Sequence, residues 1–237
     1  MTDMTDPGGH DMRDPKARLV EAALMHVPFD GWSEASFRAA ASDAGMPLAE
    51  ARALCPRGAV DLALAFHAQG DAAMVAKLAE TDLTALRYSD RVAFAVRTRL
   101  ELVEHDKEAV RRGVTLFALP MHAADGARAL WQTADAIWTA LGDSSDDLNW
   151  YTKRATLSGV YSSTVLYWLG DQSMDHAATW AFLERRIDDV MRIERAKKAV
   201  RENRLLKPLL AGPEWLAGRV KAPGKAAPGD LPGRWRG

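Results

Sequence analysis

The segment SEASFRAAASDAGMPLAEARALC, residues 33–55, reads as two short helices joined by a tight turn. Ser33 suits the N-cap of the first, because its hydroxyl can accept from an unbonded N–H of the first turn. That helix runs through Phe37 and Ala41. Ala44-Gly45-Met46 makes the turn, with Gly45 at the position that needs a permissive backbone. Pro47 fits the first position of the second helix, where its missing N–H costs nothing. Cys55-Pro56 ends it.

The same reading extends outward in both directions. Upstream, Leu19, Ala22, Ala23 and Val27 fall on one helical face between Lys16 and Val27, and Pro28 and Gly31 stop that helix. Downstream, a helix from about Gly58 carries Leu62 and Phe66 four residues apart. Further helices fit 89–105, 108–119, 126–141, 149–169 and 175–204, with breaks at Pro120, at Gly142-Asp143-Ser144-Ser145 and at Gly170-Asp171. Runs of β-branched residues are absent. The chain is predicted to be all-α, a bundle of about nine helices whose short loops pair neighbours nearly antiparallel. Its expected divisions are a disordered start (1–14), a helix-turn-helix-like three-helix region (15–70), a helical core (71–203), a basic amphipathic segment (204–221) and a disordered tail (222–237). The tail holds three Pro and four Gly in sixteen residues, too little apolar surface to offset ordering.

Composition narrows the function classes. A chain of 237 residues can bury roughly 70% of its unfolded surface, so it needs no covalent staple. A single cysteine, Cys55, excludes a disulfide framework and a thiolate-rich zinc site. No apolar run reaches the roughly 18 residues of a membrane span. The first residues, MTDMTDPGGHDMRDP, show no secretory h-region and are rich in Asp, so the expectation is a bacterial-type cytoplasmic chain, peripheral to the inner membrane. The six histidines form no metal-binding spacing, and nucleophile elbows, P-loops and dinucleotide fingerprints are missing. No catalytic residue, metal or cofactor is expected; an enzyme of unrecognised type is a remote alternative.

The arrangement of residues 15–70 resembles the N-terminal helix-turn-helix of TetR-type regulators. The chemistry of a DNA reader is nevertheless thin. The second helix offers Arg52 and Glu50 and no amide, and residues 14–70 hold 5 Lys/Arg against 7 Asp/Glu. Duplex binding relies on neutralising phosphates and on side chains that reach base edges. The expectation is a retained helical core without nucleic-acid binding; the alternative is a TetR-type regulator with a small-molecule pocket.

The second half carries the more specific signal. Trp150, Leu157, Tyr161, Val165 and Trp168 form one stripe, and Val160, Leu166, Tyr167 and Leu169 fall outside it. A helix apolar nearly all round is either a central core element or the wall of a hydrophobic cavity. A cavity among the helices 91–104, 108–119 and 151–169 would be lined by Leu100, Val114, Phe117, Leu157, Val160, Tyr161 and Val165. Trp131, Ile137 and Trp138 add aromatic density of the kind found at protein-binding hot spots.

Ala136-Ile137-Trp138, Gly142-Asp143-Ser144-Ser145-Asp146 and Asn149-Trp150-Tyr151-Thr152-Lys153-Arg154 together resemble the signature of the ninth Coq protein family, and the likeness extends through Thr179–Ile187. That family comprises lipid-binding accessory proteins of ubiquinone biosynthesis. The resemblance implies a TetR-like fold without DNA binding and a cavity for isoprenoid or quinone-intermediate lipids. It also implies contact with the pathway's di-iron hydroxylase through a patch at Ile137, Trp150 and Tyr151. The family usually carries Met where this chain has Ile137.

Charge is unevenly spread. Residues 191–237 hold 12 Lys/Arg against 4 Asp/Glu, on a chain whose net charge is −1. Leu205, Leu206, Leu209, Leu210, Trp215 and Leu216 are interleaved there with Lys207 and Arg219, the pattern of an interfacial segment at an anionic membrane. Pro208 and Pro213 break it into pieces. Packing of this segment on the body is the competing reading. A homodimer is a further expectation from the apolar spacing of Trp180, Leu183, Ile187 and Val190.

Overall fold

A computed structural model describes residues 14–145 and 148–202, with side chains to residue 193. Ten α-helices and no strand occur among the described residues. Helix α1 (Pro15–Leu24) starts under the Asp14 carboxylate, which accepts from the Lys16 N–H. Pro28 does not simply end it. It lies in the first turn of a separate short helix, α2 (Val27–Asp30), where no intrahelical N–H is required. This is the tenth helix, beyond the nine expected. Gly31 closes it at φ 68°.

Helix α3 (Glu34–Asp43) opens with Ser33 and Ser36 capping one another reciprocally. Gly45 takes φ 62° in the turn that follows, as the reading of that triplet requires. Pro47 is the N-cap of α4 (Leu48–Leu54), one position before the expected one. Then come α5 (Ala59–Glu80), α6 (Tyr88–Glu101), α7 (Lys107–Phe117), α8 (Ala123–Ala140), α9 (Leu148–Gly170) and α10 (Ala177–Glu202).

The buried apolar side chains form two clusters. Leu19, Val20, Phe37, Ala40 and Leu62 anchor the first, among α1, α3, α4 and the start of α5. Met74, Val96, Leu100, Ile137, Trp168 and Leu183 anchor the second, from the end of α5 through α10. Helix α7 joins the first cluster through Ala109, and polar contacts tie the N-terminal helices to α7 and α8. The Trp32 indole donates to the Ala109 carbonyl at 3.0 Å, Arg112 donates to the Pro28 carbonyl at 3.0 Å, and Arg57 pairs with Asp125 at 2.8 Å.

A charged pair crosses the second core. Arg99 Nε donates to Asp71 Oδ1 at 2.7 Å, and both side chains are almost wholly buried. Gly70 makes room for it, since a Cβ there would stand 2.5 Å from the Arg99 guanidinium. The predicted membrane-contact residues Leu205, Leu206, Lys207, Leu209, Leu210, Trp215, Leu216 and Arg219 lie outside the described residues.

Candidate lipid cavity and aromatic patch

Helices α5, α7, α8 and α9 leave a cavity of about 380 Å³ between them. Ala63 and His67 come from α5, Val110, Val114 and Phe117 from α7, Leu130 from α8, and Tyr161, Val165 and Leu166 from α9. Gly126 lets α8 approach α7 closely, because a Cβ there would sit 2.7 Å from the Phe117 Cβ. The lining is overwhelmingly apolar, and its volume is in the range of small-molecule sites. Ala118, Ala123 and Leu166 both line the cavity and are exposed, so its open side lies there. Leu119 and Met121 stand exposed in the adjoining connection between α7 and α8.

One end of the cavity is polar. His67 Nε2 lies 2.7 Å from Thr133 Oγ1, which lies 3.0 Å from Asp71 Oδ2, and Asp71 holds Arg99. Arg99 Nη2 closes the circuit on the His67 carbonyl at 3.0 Å. Burial pushes the His67 imidazole below its ordinary value, against the opposing pull of Asp71. Tyr161 is 3% exposed, and burial raises its phenol. Its ring lines the cavity, and Arg99 and Asp71 are the charged groups that act on its phenol. An apolar cavity with an imidazole and a phenol at one end suits a hydrophobic molecule that carries an oxygen at its head.

The seven residues expected to line one cavity divide among three places. Val114, Phe117, Tyr161 and Val165 line this one. Leu157 and Val160 line a second, of about 270 Å³, between α6, α8, α9 and α10. Leu100 lines neither; it is fully buried in the second core. Helix α9 is therefore a shared wall, which explains why it is apolar nearly all round. The sequence reading has the helix that starts near Gly58 but places neither it, with His67, nor α8 in the cavity wall. The available signal was a His67–Asp71 pair at i, i+4 in a helix that also carries Leu62, Phe66 and Met74.

The expected partner patch also changes. Ile137 is 0% exposed and cannot meet a partner, because it faces the core from α8. Trp150 and Tyr151 are half-buried and do form a cluster, with Trp131 as third member. Ring centroids lie 4.8 Å apart for Trp150 and Tyr151 and 5.8 Å apart for Trp131 and Trp150. The Arg154 guanidinium caps Trp150 at 3.9 Å. Arg154 is itself held by Asp135 and Asp143. Partial burial works against the Asp143 charge, yet Lys153, Ser145 and Arg154 hold its carboxyl below the usual range.

The depleted DNA-reading helix is short of free cations as well. Arg52 donates to Glu34 at 2.6 Å and lies over the Phe37 ring at 4.5 Å. Among the described residues, no cluster of His, Cys, Asp and Glu could hold a metal ion, and no helix is long and apolar enough to cross a membrane.

The COQ9 family pattern matches residues 123–194, which cover α8, α9 and most of α10. The chain is 32% identical to the mitochondrial ubiquinone biosynthesis protein COQ9-B of Xenopus laevis, over 83% of this chain and 71% of that protein. It is 33% identical to the mitochondrial ubiquinone biosynthesis protein COQ9 of Drosophila melanogaster, over 76% of this chain but only 56% of that protein. The chain thus spans little more than half the length of the latter. A TetR transcriptional regulator from Nitrosomonas europaea superposes with a TM-score of 0.60, covering 74% of this chain and 97% of that one at 20% identity. That likeness shows a TetR-like fold.

Proposed function

Because the chain belongs to the COQ9 family, we propose that it serves ubiquinone biosynthesis as a non-catalytic carrier of isoprenoid or quinone-precursor lipids, which it presents to the pathway hydroxylase. The observation that carries this reading is the apolar cavity between α5, α7, α8 and α9 with its polar end at Tyr161 and His67. A ring oxygen at that end would accept from the Tyr161 hydroxyl. The first isoprene units would lie against Val114, Phe117 and Val165, and a longer tail would leave past Leu166. A molecule so sparingly soluble has to be collected from a bilayer. The basic, leucine-rich stretch 204–221 supplies an attraction to anionic lipid, about 1 kcal/mol for each Lys or Arg near the surface.

Three half-buried rings side by side suit an anchor for the hydroxylase, since aromatic side chains bury much area at little entropic cost. Trp131 joins Trp150 and Tyr151 in this role and takes the place expected of Ile137.

Mass spectrometry of lipids extracted from the purified protein tests the central claim. An isoprenoid lipid at near-stoichiometric amount is the expected result; protein free of any isoprenoid, and unable to take one up from vesicles, would sink it. Truncation after Asn203 should abolish binding to anionic liposomes and leave capture of the hydroxylase unchanged. Trp150→Ala with Tyr151→Ala should do the reverse, with circular dichroism confirming that the bundle persists.

A further inference from the structure

A buried polar group beside the second cavity has no partner among the described residues. Trp138 is 8% exposed and lines this space from α8, and its indole Nε1 is buried with no hydrogen-bond partner. An indole N–H is only a donor, so what answers it must bring an acceptor. The rest of the enclosure describes that molecule. Tyr88 stacks on Trp138 with ring centroids 5.6 Å apart and planes at 25°, which gives one flat aromatic wall. Val92, Leu157, Val160 and Ile187 supply aliphatic surface.

The charge near the cavity is spoken for. Lys153 lines it, and its ammonium lies 5.6 Å from the Trp138 ring centre. That ammonium is spent on Asp143 Oδ1 and Ser145 Oγ, each at 2.7 Å. Arg154 beside it pairs with Asp135 and Asp143. Two cations and two anions cancel, so an anionic head would find no free counter-charge.

We infer that this cavity is a second binding site, separate from the lipid cavity, for a flat neutral ring whose carbonyl or phenolic oxygen accepts from Trp138 Nε1. Its volume, about 270 Å³, suits one or two fused rings without a long tail. Helix α9 divides it from the larger cavity, so the inference does not depend on what that cavity carries.

The test uses three probes of one shape: 1-tetralone, a neutral aromatic ketone; tetralin, the same bicycle without the oxygen; and 1-naphthoate, an anion. Each is titrated into the full-length ¹⁵N-labelled protein, with the Trp138 indole resonance identified by its loss in Trp138→Phe. Tetralone should shift that resonance downfield and bind about tenfold more tightly than tetralin, the worth of one hydrogen bond. Naphthoate should bind more weakly than tetralone. In Trp138→Phe the advantage of tetralone over tetralin should vanish. An unmoved Trp138 resonance, equal affinities for tetralone and tetralin in the unaltered protein, or tighter binding of naphthoate would each overturn the assignment. The titration of the unaltered protein decides the matter even if Trp138→Phe folds poorly.

Discussion

Arg99 brings a full charge into a helical core, and Asp71, 2.7 Å away, is the reason it is tolerated. Desolvating two ions is costly, and a lone buried ion is worse than a buried pair. Arg99→Met should therefore destabilise the protein by about 3–5 kcal/mol, because Asp71 is left without its counter-ion. Arg99→Met combined with Asp71→Asn should cost less than Arg99→Met alone, measured by urea denaturation. His67 adds a pH dependence. Its imidazole titrates lower in the folded chain than the ordinary 6.5, chiefly because of burial. The folded state then binds fewer protons than the unfolded one. The stabilisation is complete above that ordinary value and is lost as pH falls below it. Melting temperature should decline on acidification from about pH 7 to 5, the span over which an unperturbed histidine gains its proton. His67→Gln, which keeps a polar partner for Thr133, should flatten that decline.

At the scale of the helix, α9 separates what periodicity can say from what it cannot. Caps and turns at the fold-deciding segment were legible because each depends on one residue's own chemistry, as Ser33 and Gly45 show. The apolar character of α9 was legible too. Which neighbour each apolar side chain faces depends on partners far away in the chain. Tyr161 and Val165 turn toward α5 and α7, whereas Leu157 and Val160 turn toward α6 and α10. The same limit hid the depth of Ile137 and the pairing of Asp71 with Arg99 across 28 residues. Two substitutions separate the walls. Val114→Trp should fill the larger cavity and strip the purified protein of lipid. Val160→Trp should crowd the smaller one, leave lipid content near normal and destabilise by about 1–3 kcal/mol through overpacking. Lipid lost equally in both would mean that the two spaces act as one.

At the scale of the molecule, a TetR-like frame is present, and its helix α4 offers little to a DNA duplex. Arg52 is committed to Glu34 and Phe37, and residues 14–70 repel phosphate on average. The protein should give no footprint on duplex DNA at moderate salt, including the region upstream of its own gene; a protected site there would restore the regulator reading. The frame is also continuous. Helix α5, 22 residues and about 33 Å long, is one beam whose early residues Leu62 and Ala63 belong to the first core and whose later residues Met74 and Leu78 belong to the second. Neither core can come apart without fraying the beam they share. Scanning calorimetry should accordingly record a single endotherm whose van't Hoff and calorimetric enthalpies agree. A guest held between α7 and α9 should then slow hydrogen exchange as far away as Phe37, which it never touches, because only the opening of the whole frame exposes either.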